Sequence, residues 1–261
     1  MFGSKKNTPR KITFSEPVSF ELYLPEGQGP FPLVVITPLL GRLILCEDLY
    51  LERNFARFFA RSGLASTIAH RNIFQFNSSR GLEQLQGYLD QSVERNTKIL
   101  DHLATFKEVD AQKIGSFGMS FGAIANLLWA AYDQRIRAHV FALGGGNLPE
   151  IFISSKDPLM RLYRKQALES SGLNMKELPA SLQKIFKHDP LEACHVIPKE
   201  NVFMCLAIFD RVIQLRYGLE LWRGLGKPST LFIPLGHYSS ILAVPFIRGK
   251  VLKFLKTKFK I

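Results

Sequence analysis

The sequence predicts an α/β fold, a mostly parallel sheet with helices on both faces and a small helical cap inserted in it. Short runs of apolar and β-branched residues alternate along the chain with longer segments of helical periodicity, which is typical of a parallel sheet. The run Leu33-Val34-Val35-Ile36 holds no polar residue, as in a strand buried on both faces. The alternation breaks over residues 147–195, where helical patterns follow one another without a strand.

Each element follows from its periodicity and from the turn residues beside it. Residues 18–24 alternate between apolar and polar side chains, which predicts a strand with one buried face before a Pro- and Gly-rich turn. Gly63 ends the first predicted helix. The predicted strands are residues 18–24, 33–36, 64–69, 113–117, 138–143, 202–209 and 230–233. The predicted helices are residues 47–62, 81–106, 123–132, 161–170, 178–186, 214–225 and 246–260.

The composition is that of an ordinary globular protein, with 46% hydrophobic and 21% charged residues among 261. Such a chain can bury a full core as a single domain over residues 1–261, with the cap at 147–195. The three cysteines show no spacing typical of a disulfide framework or a zinc site. The basic start is not followed by the apolar stretch of a signal peptide, and no apolar run reaches the ~20 residues of a spanning helix. We therefore expect a soluble, cytoplasmic protein, and the sequence leaves its oligomeric state open.

The net charge of +12 is concentrated at the two ends of the chain. Residues 1–15 hold four basic residues and residues 248–261 hold six, without any acidic residue, which leaves +2 for the rest. A nucleic-acid groove needs basic residues along a folded surface, so we expect no nucleic-acid partner. In the last predicted helix the apolar residues fall on one side, which we expect to face the core. The lysines lie off that side, and we interpret them as a solvent-exposed face. Contact of this helix with an anionic membrane surface is the less favoured alternative.

One motif indicates the chemistry. Gly118-Met119-Ser120-Phe121-Gly122 matches G-x-S-x-G and lies between a predicted strand and a predicted helix, the setting of a nucleophile elbow. Side chains at positions 118 and 122 would collide with the strand and helix that flank such a tight turn. The start of the helix adds a positive dipole end, and the N–H of Phe121 is suited to hold a developing oxyanion.

With this elbow the chain resembles the α/β-hydrolase family, and in particular its dienelactone-hydrolase-like and esterase branch. The resemblance runs from about residue 31 to the C-terminus. It implies an acid after the strand that follows the cap and a histidine after the last strand, in the order Ser, Asp, His. Asp210 and His237 occupy those two positions. Glu150, which follows the preceding strand, is the alternative acid.

These residues predict a serine hydrolase that cleaves a small-molecule ester through an acyl-enzyme and needs no cofactor and no metal. Ser120 attacks the carbonyl carbon, His237 takes the serine proton, and Asp210 orients the imidazole. A thioester or an amide is a less favoured substrate. Two other functions stay open. One is a non-catalytic member of the fold that binds a membrane or a polyanion through its basic ends, and the other is a small serine peptidase.

The loop after the first buried strand is expected to supply the second donor of the oxyanion hole. The family usually carries His-Gly there, where this chain has Thr37-Pro38-Leu39-Leu40-Gly41. Because Pro38 has no N–H, Leu39 is the expected donor and Leu40 the next candidate.

Three positions are candidate substrate contacts, and four cap residues are candidates for the wall of the acyl site. Leu40 is one of the three substrate contacts. Arg42 either meets an anionic substrate or lies on the surface, and His70 either lines the pocket or is structural. In the cap, the candidates for the wall around the acyl group are Ile151, Phe152, Leu159 and Leu162.

Overall fold

The structure is a computed structural model, and it describes residues 8–40, 50–70 and 81–261. The strands are β1 (Arg10–Phe14), β2 (Phe20–Leu24), β3 (Phe31–Thr37), β4 (Ala65–Ala69), β5 (Val109–Met119), β6 (Ile136–Ala142), β7 (Val202–Ala207) and β8 (Ser229–Ile233). The helices are α1 (Tyr50–Arg61), α2 (Gln84–Leu103), α3 (Phe121–Tyr132), α4 (Leu148–Ser154), α5 (Pro158–Ser171), α6 (Leu178–Ile185), α7 (Pro190–Ala193), α8 (Leu215–Gly224) and α9 (Val244–Phe259).

The strands form an eight-stranded sheet in the order β1-β2-β4-β3-β5-β6-β7-β8. β1 pairs with β2 and β2 pairs with β4 in antiparallel orientation, and every pair from β4 to β8 is parallel. Because neighbouring residues of a strand point to opposite faces, β3 supplies both layers of the core. Leu33 and Val35 pack with α2, α3 and α8, whereas Val34 and Ile36 pack with α1 and α9. The predicted α/β class with a mostly parallel sheet is confirmed.

The antiparallel edge differs from the sequence-based expectation in two respects. β1 was absent from the predicted strands because only Ile12 and Phe14 carry its apolar signal, and its other side chains are exposed, as in an edge strand. In β2 all five residues are buried, although the alternation predicted one buried face. The reason is that the polar residue Glu21 is buried together with cationic partners, which are described with the site below.

The segment over residues 147–195 is helical in the structure, with α4, α5, α6, α7 and a short 3₁₀ turn. We keep the name cap for these residues. A separate apolar cluster joins them to the start of α2, where Leu82 packs with Phe152, Tyr163 and Leu178. In the part of the chain that the structure describes, no helix combines the length and the apolar character needed to cross a membrane.

Candidate active site

The turn that carries Ser120 is tight enough to require glycine on both sides. β5 ends at Met119 and α3 begins at Phe121, so Ser120 alone connects strand and helix, with φ 56° and ψ −127°. A Cβ atom on Gly118 would lie 2.2 Å from the carbonyl oxygen of Gly122, and one on Gly122 would lie 2.4 Å from that of Thr37. The positive φ of a serine is strained backbone, of the kind that is found at functional sites.

A continuous chain of hydrogen bonds starts at this serine. The Oγ atom of Ser120 lies 2.8 Å from Nε2 of His237, and Nδ1 of His237 lies 2.7 Å from Oδ2 of Asp210. A carboxylate only accepts hydrogen bonds, so Nδ1 carries the proton and Nε2 of the neutral ring accepts the serine hydroxyl. The structure thus brings together the three residues that the sequence singled out as serine, histidine and acid.

The acid of this chain is itself held by the backbone. Oδ1 of Asp210 accepts the N–H groups of Val212 and Ile213 at 2.8 and 2.9 Å, which leaves Oδ2 for His237. The carboxylate is almost fully buried, so its orientation is set by these contacts rather than by solvent. Glu150, the alternative acid, lies in the first turn of α4, and the carboxylate that meets the imidazole is that of Asp210.

The loop after β3 lies against the elbow, since the carbonyl oxygens of Thr37 and Pro38 are the atoms nearest to a Cβ on Gly122. In this loop the N–H of Leu39 donates to Oε1 of Glu52, a buried residue of α1, at 3.0 Å. An N–H that points at a carboxylate is not directed at an oxyanion, so this geometry favours Leu40 over Leu39 as donor. Phe121 begins α3, where backbone N–H groups have no acceptor within the helix. Arg42 lies outside the described residues.

An apolar cavity of about 90 Å³ opens beside the elbow. It is lined by side chains from the loop after β3, from the elbow and α3, from α2 and from the cap. They are Leu40, Leu85, Tyr88, Leu89, Phe121, Ile124, Leu148, Ile151, Phe152, Met160 and Phe186. Of the four cap residues proposed as an acyl wall, Ile151 and Phe152 line the cavity. Leu159 and Leu162 do not, and they are 36% and 48% exposed.

His70 takes part in a buried ionic cluster at the antiparallel edge. Its Nδ1 lies 2.9 Å from Oγ of Ser19 and its Nε2 lies 3.1 Å from Oε1 of Glu21. Arg53 of α1 and Lys11 of β1 also bind this carboxylate, at 2.8 and 2.9 Å. Burial opposes the charge of Glu21, but these hydrogen bonds outweigh it and hold its pKa well below the usual range. The contacts of His70 therefore support its structural reading.

A contact that the sequence did not indicate joins the cap to the loop after β8. This loop carries His237 and Tyr238, and we name it the histidine loop. The hydroxyl of Tyr238, the residue after His237, donates to Oδ2 of Asp157. Asp157 is buried and also caps α5, because its Oδ1 accepts the N–H of Met160 at 2.9 Å. Burial, together with this carboxylate, raises the pKa of the Tyr238 hydroxyl. The only sequence signal was an Asp-Pro pair at the start of a helical pattern, which predicts a cap but no distant partner.

Over residues 8–40, 50–70 and 81–261, no three His, Cys, Asp or Glu side chains are grouped so that they could hold a metal ion.

Comparison with known proteins adds a family and a fold to this geometry. The family model described as FrsA-like esterase matches residues 6–163. Esterase FrsA of Klebsiella pneumoniae subsp. pneumoniae is 26% identical over 213 residues, which cover 72% of this chain and 49% of that protein. The chain thus spans about half the length of this curated relative.

Two solved structures show a similar fold. The α/β hydrolase GrgF from Penicillium sp. sh18 has a TM-score of 0.64 at 16% identity, with 98% of this chain and 99% of that chain covered. A puromycin hydrolase has a TM-score of 0.68 at 15% identity, with 98% of this chain and 40% of that chain covered. At such identities the likeness concerns the fold alone, and it confirms the predicted α/β-hydrolase fold.

Proposed function

The chain belongs to the FrsA-like esterase family, and on that premise we propose that it is a serine hydrolase that cleaves carboxylic esters. The observation that carries the proposal is the chain of hydrogen bonds from Ser120 through His237 to Asp210, with distances of 2.8 and 2.7 Å. A serine hydroxyl is a weak nucleophile at neutral pH, and an imidazole at this distance can remove its proton as it attacks.

The acylation step uses all three side chains. Oγ of Ser120 bonds to the ester carbonyl carbon while its proton passes to Nε2 of His237. The C=O π electrons move to the oxygen, which becomes an oxyanion held by the N–H groups of Phe121 and Leu40. When the carbonyl re-forms, the C–O bond to the alcohol breaks and His237 returns the proton to the leaving oxygen. Asp210 stabilises the imidazolium that exists between these two transfers.

The deacylation step repeats this chemistry with water. His237 takes a proton from a water molecule, whose oxygen bonds to the acyl carbon and expels Ser120. The proton then returns to the serine oxygen, which regenerates the enzyme and releases a carboxylic acid. The step consumes one water molecule and calls for no redox partner.

The apolar cavity supports a preference for esters with a short acyl chain. A water molecule takes up about 30 Å³ in the liquid, and a methylene or methyl group is of similar size. A cavity of about 90 Å³ therefore has room for roughly three such groups. Its walls come from Leu40 and Phe121 beside the elbow and from the cap, so an acyl group bound to Ser120 is adjacent to it. This assignment makes the cap a determinant of chain length.

Covalent labelling and turnover test the nucleophile. A fluorophosphonate should modify Ser120 in the wild type, and p-nitrophenyl butyrate should be hydrolysed. Ser120→Ala should abolish the labelling and lower kcat about a million-fold, as in other serine triads. Ser116→Ala is the matched control, because Ser116 is a buried serine of β5 whose Oγ faces His139 instead.

The outcomes separate the three candidate functions. Hydrolysis and labelling that survive in Ser120→Ala would contradict the assignment of the nucleophile. An anilide that is cleaved faster than the ester of the same acyl group would favour the peptidase alternative. A wild-type chain that neither reacts with the fluorophosphonate nor hydrolyses any ester would favour a non-catalytic member of the fold.

A further inference from the structure

Exposed apolar side chains line the segment that leads from the histidine loop into the last helix. A 3₁₀ turn over Ser239–Ala243 follows the loop and continues directly into α9. Tyr238, Leu242 and Phe246 are spaced four residues apart along it and are 57%, 76% and 56% exposed. Large apolar side chains that are exposed along one continuous segment in this way indicate a contact surface rather than core packing.

The exposed side of this segment becomes basic further along α9. Lys250 and Lys253 follow Phe246 at intervals of four and three residues, and both are exposed. The Nζ atom of Lys250 lies 5.3 Å from the ring centre of Phe246, so the apolar part and the basic part of the face adjoin. We name the five residues Tyr238, Leu242, Phe246, Lys250 and Lys253 the α9 face.

The charge of this helix is not neutralised within the protein. Residues 248–261 hold six basic residues and no acidic one. Within the described ranges, each ion pair of the structure joins residues outside this segment. α1 packs beside α9, where Arg248 contacts Asn54 and Phe58, and the exposed Arg61 follows Phe58 by three residues. The one acidic residue of α1, Glu52, is buried. The surroundings of the α9 face are therefore strongly positive.

We propose that the α9 face docks the protein side-on onto an anionic lipid surface. At a bilayer interface Leu242 and Phe246 would be buried among the acyl chains near the head groups. Lys250 and Lys253 would bind the negatively charged head groups. A second copy of the chain fits less well, because it would bring two basic helices of chains with a net charge of +12 against each other. α9 lies on the surface in this arrangement and does not cross it.

Docking in this way would place the loop of His237 and Tyr238 at the lipid surface. This consequence rests on the proposed function, since it brings the catalytic residues close to esters that are dissolved in or attached to a membrane. The docking itself does not require catalysis. Binding can therefore be measured on the Ser120→Ala variant as well as on the wild type, which separates a failure of docking from a failure of the proposed activity.

Co-sedimentation with vesicles tests the proposal directly. The full chain should sediment at low salt with vesicles of phosphatidylcholine mixed with phosphatidylserine, but not with phosphatidylcholine alone, and high salt should release it. Lys250→Glu combined with Lys253→Glu should weaken binding about 25-fold or more, at about fivefold for each lysine near the surface. Leu242→Ser combined with Phe246→Ser should weaken it at least tenfold, because two apolar side chains no longer enter the interface.

A matched control changes the same residue types elsewhere. Met175→Ser combined with Lys176→Glu alters an exposed apolar and an exposed basic residue of the cap and should leave binding unchanged. Far-UV circular dichroism and the unfolding temperature verify that each variant is folded. If the double variant does not fold, Leu242→Ser alone is a milder change at the most exposed position of the α9 face.

Three results would overturn the proposal. The first is a wild type that stays in the supernatant with phosphatidylserine vesicles at low salt. The second is binding that the control weakens as much as the α9-face variants do. The third is a concentration-dependent dimer in sedimentation velocity that Phe246→Ser disrupts, without any vesicle binding, since the face would then belong to a second copy.

Discussion

Shortening one cap residue should lengthen the acyl chain that the site prefers. Ile151 of α4 lines the apolar cavity and is nearly buried, and Ile151→Ala removes three carbon atoms from the wall. If each carbon leaves about 30 Å³, the cavity of about 90 Å³ roughly doubles. The best p-nitrophenyl ester should then shift from an acyl chain of about four carbons to one of about seven.

The size of the effect follows from the free energy of burying methylene groups. Each buried methylene contributes about 0.8 kcal/mol, which corresponds to about a fourfold increase in kcat/KM. Three additional methylenes should therefore raise kcat/KM of Ile151→Ala for the longer ester up to about 50-fold relative to the wild type. The substitution should also lower the free energy of unfolding by about 2 kcal/mol or more, because a buried isoleucine is truncated.

The assay is kcat/KM across p-nitrophenyl esters from acetate to decanoate, at a temperature at which both proteins are folded. Leu159→Ala is the control, because Leu159 belongs to the same cap but is 36% exposed and does not line the cavity. An optimum that stays at the same chain length in Ile151→Ala, or that Leu159→Ala shifts equally, would refute the role of the cavity as the acyl site.

Three further predictions concern the acid, the histidine loop and the response to pH. Asp210→Asn should lower kcat about ten-thousand-fold, whereas Glu150→Gln should have little effect; the reverse order in ester hydrolysis would move the acid to residue 150. Tyr238→Phe should lower kcat several-fold with KM nearly unchanged, because it removes only the hydroxyl that ties the histidine loop to Asp157; an unchanged kcat would show that this contact does not position the histidine. Burial lowers the pKa of His139 to about 4, so the unfolded chain binds the proton first as the pH falls. The stability that this histidine contributes is complete above pH ~6.5 and is lost between pH ~6.5 and ~4, by up to about 3 kcal/mol. Urea unfolding at several pH values should show this loss in the wild type but not in His139→Leu, and equal slopes in both proteins would contradict it.

The sequence could predict the candidate active site because its residues are placed by local rules. The elbow requires glycine at 118 and 122, where a Cβ would meet the backbone of the helix and of the neighbouring loop. Asp210 and His237 each follow a strand, and in a parallel sheet the ends of such strands share one edge. Position after a strand puts these residues at one edge of the sheet, and the resemblance to the α/β-hydrolase family indicated which residues at that edge to combine.

Contacts between separate elements could not be predicted in the same way. Glu21 interrupts an apolar strand, and a sequence does not show that Lys11, Arg53 and His70 converge on it from three other places. The hydrogen bond from Leu39 to Glu52 has the same character, since its partners are thirteen residues apart on a loop and a helix. Whether an N–H is free for an oxyanion depends on such a contact, and the contact that disfavours Leu39 as donor appears only once the fold is known.

Two adjacent residues of α1 link these contacts to each other. Glu52 accepts the N–H of Leu39 in the loop beside the elbow, and Arg53 binds Glu21 in β2. Successive side chains of a helix point about 100° apart, so one turn of α1 reaches the loop and the antiparallel edge of the sheet at once. The loop is thus linked through α1 to the buried carboxylate of Glu21, which Arg53 shares with Lys11 and His70. The antiparallel strands at the edge of the sheet are therefore tied, through α1, to the loop beside the elbow.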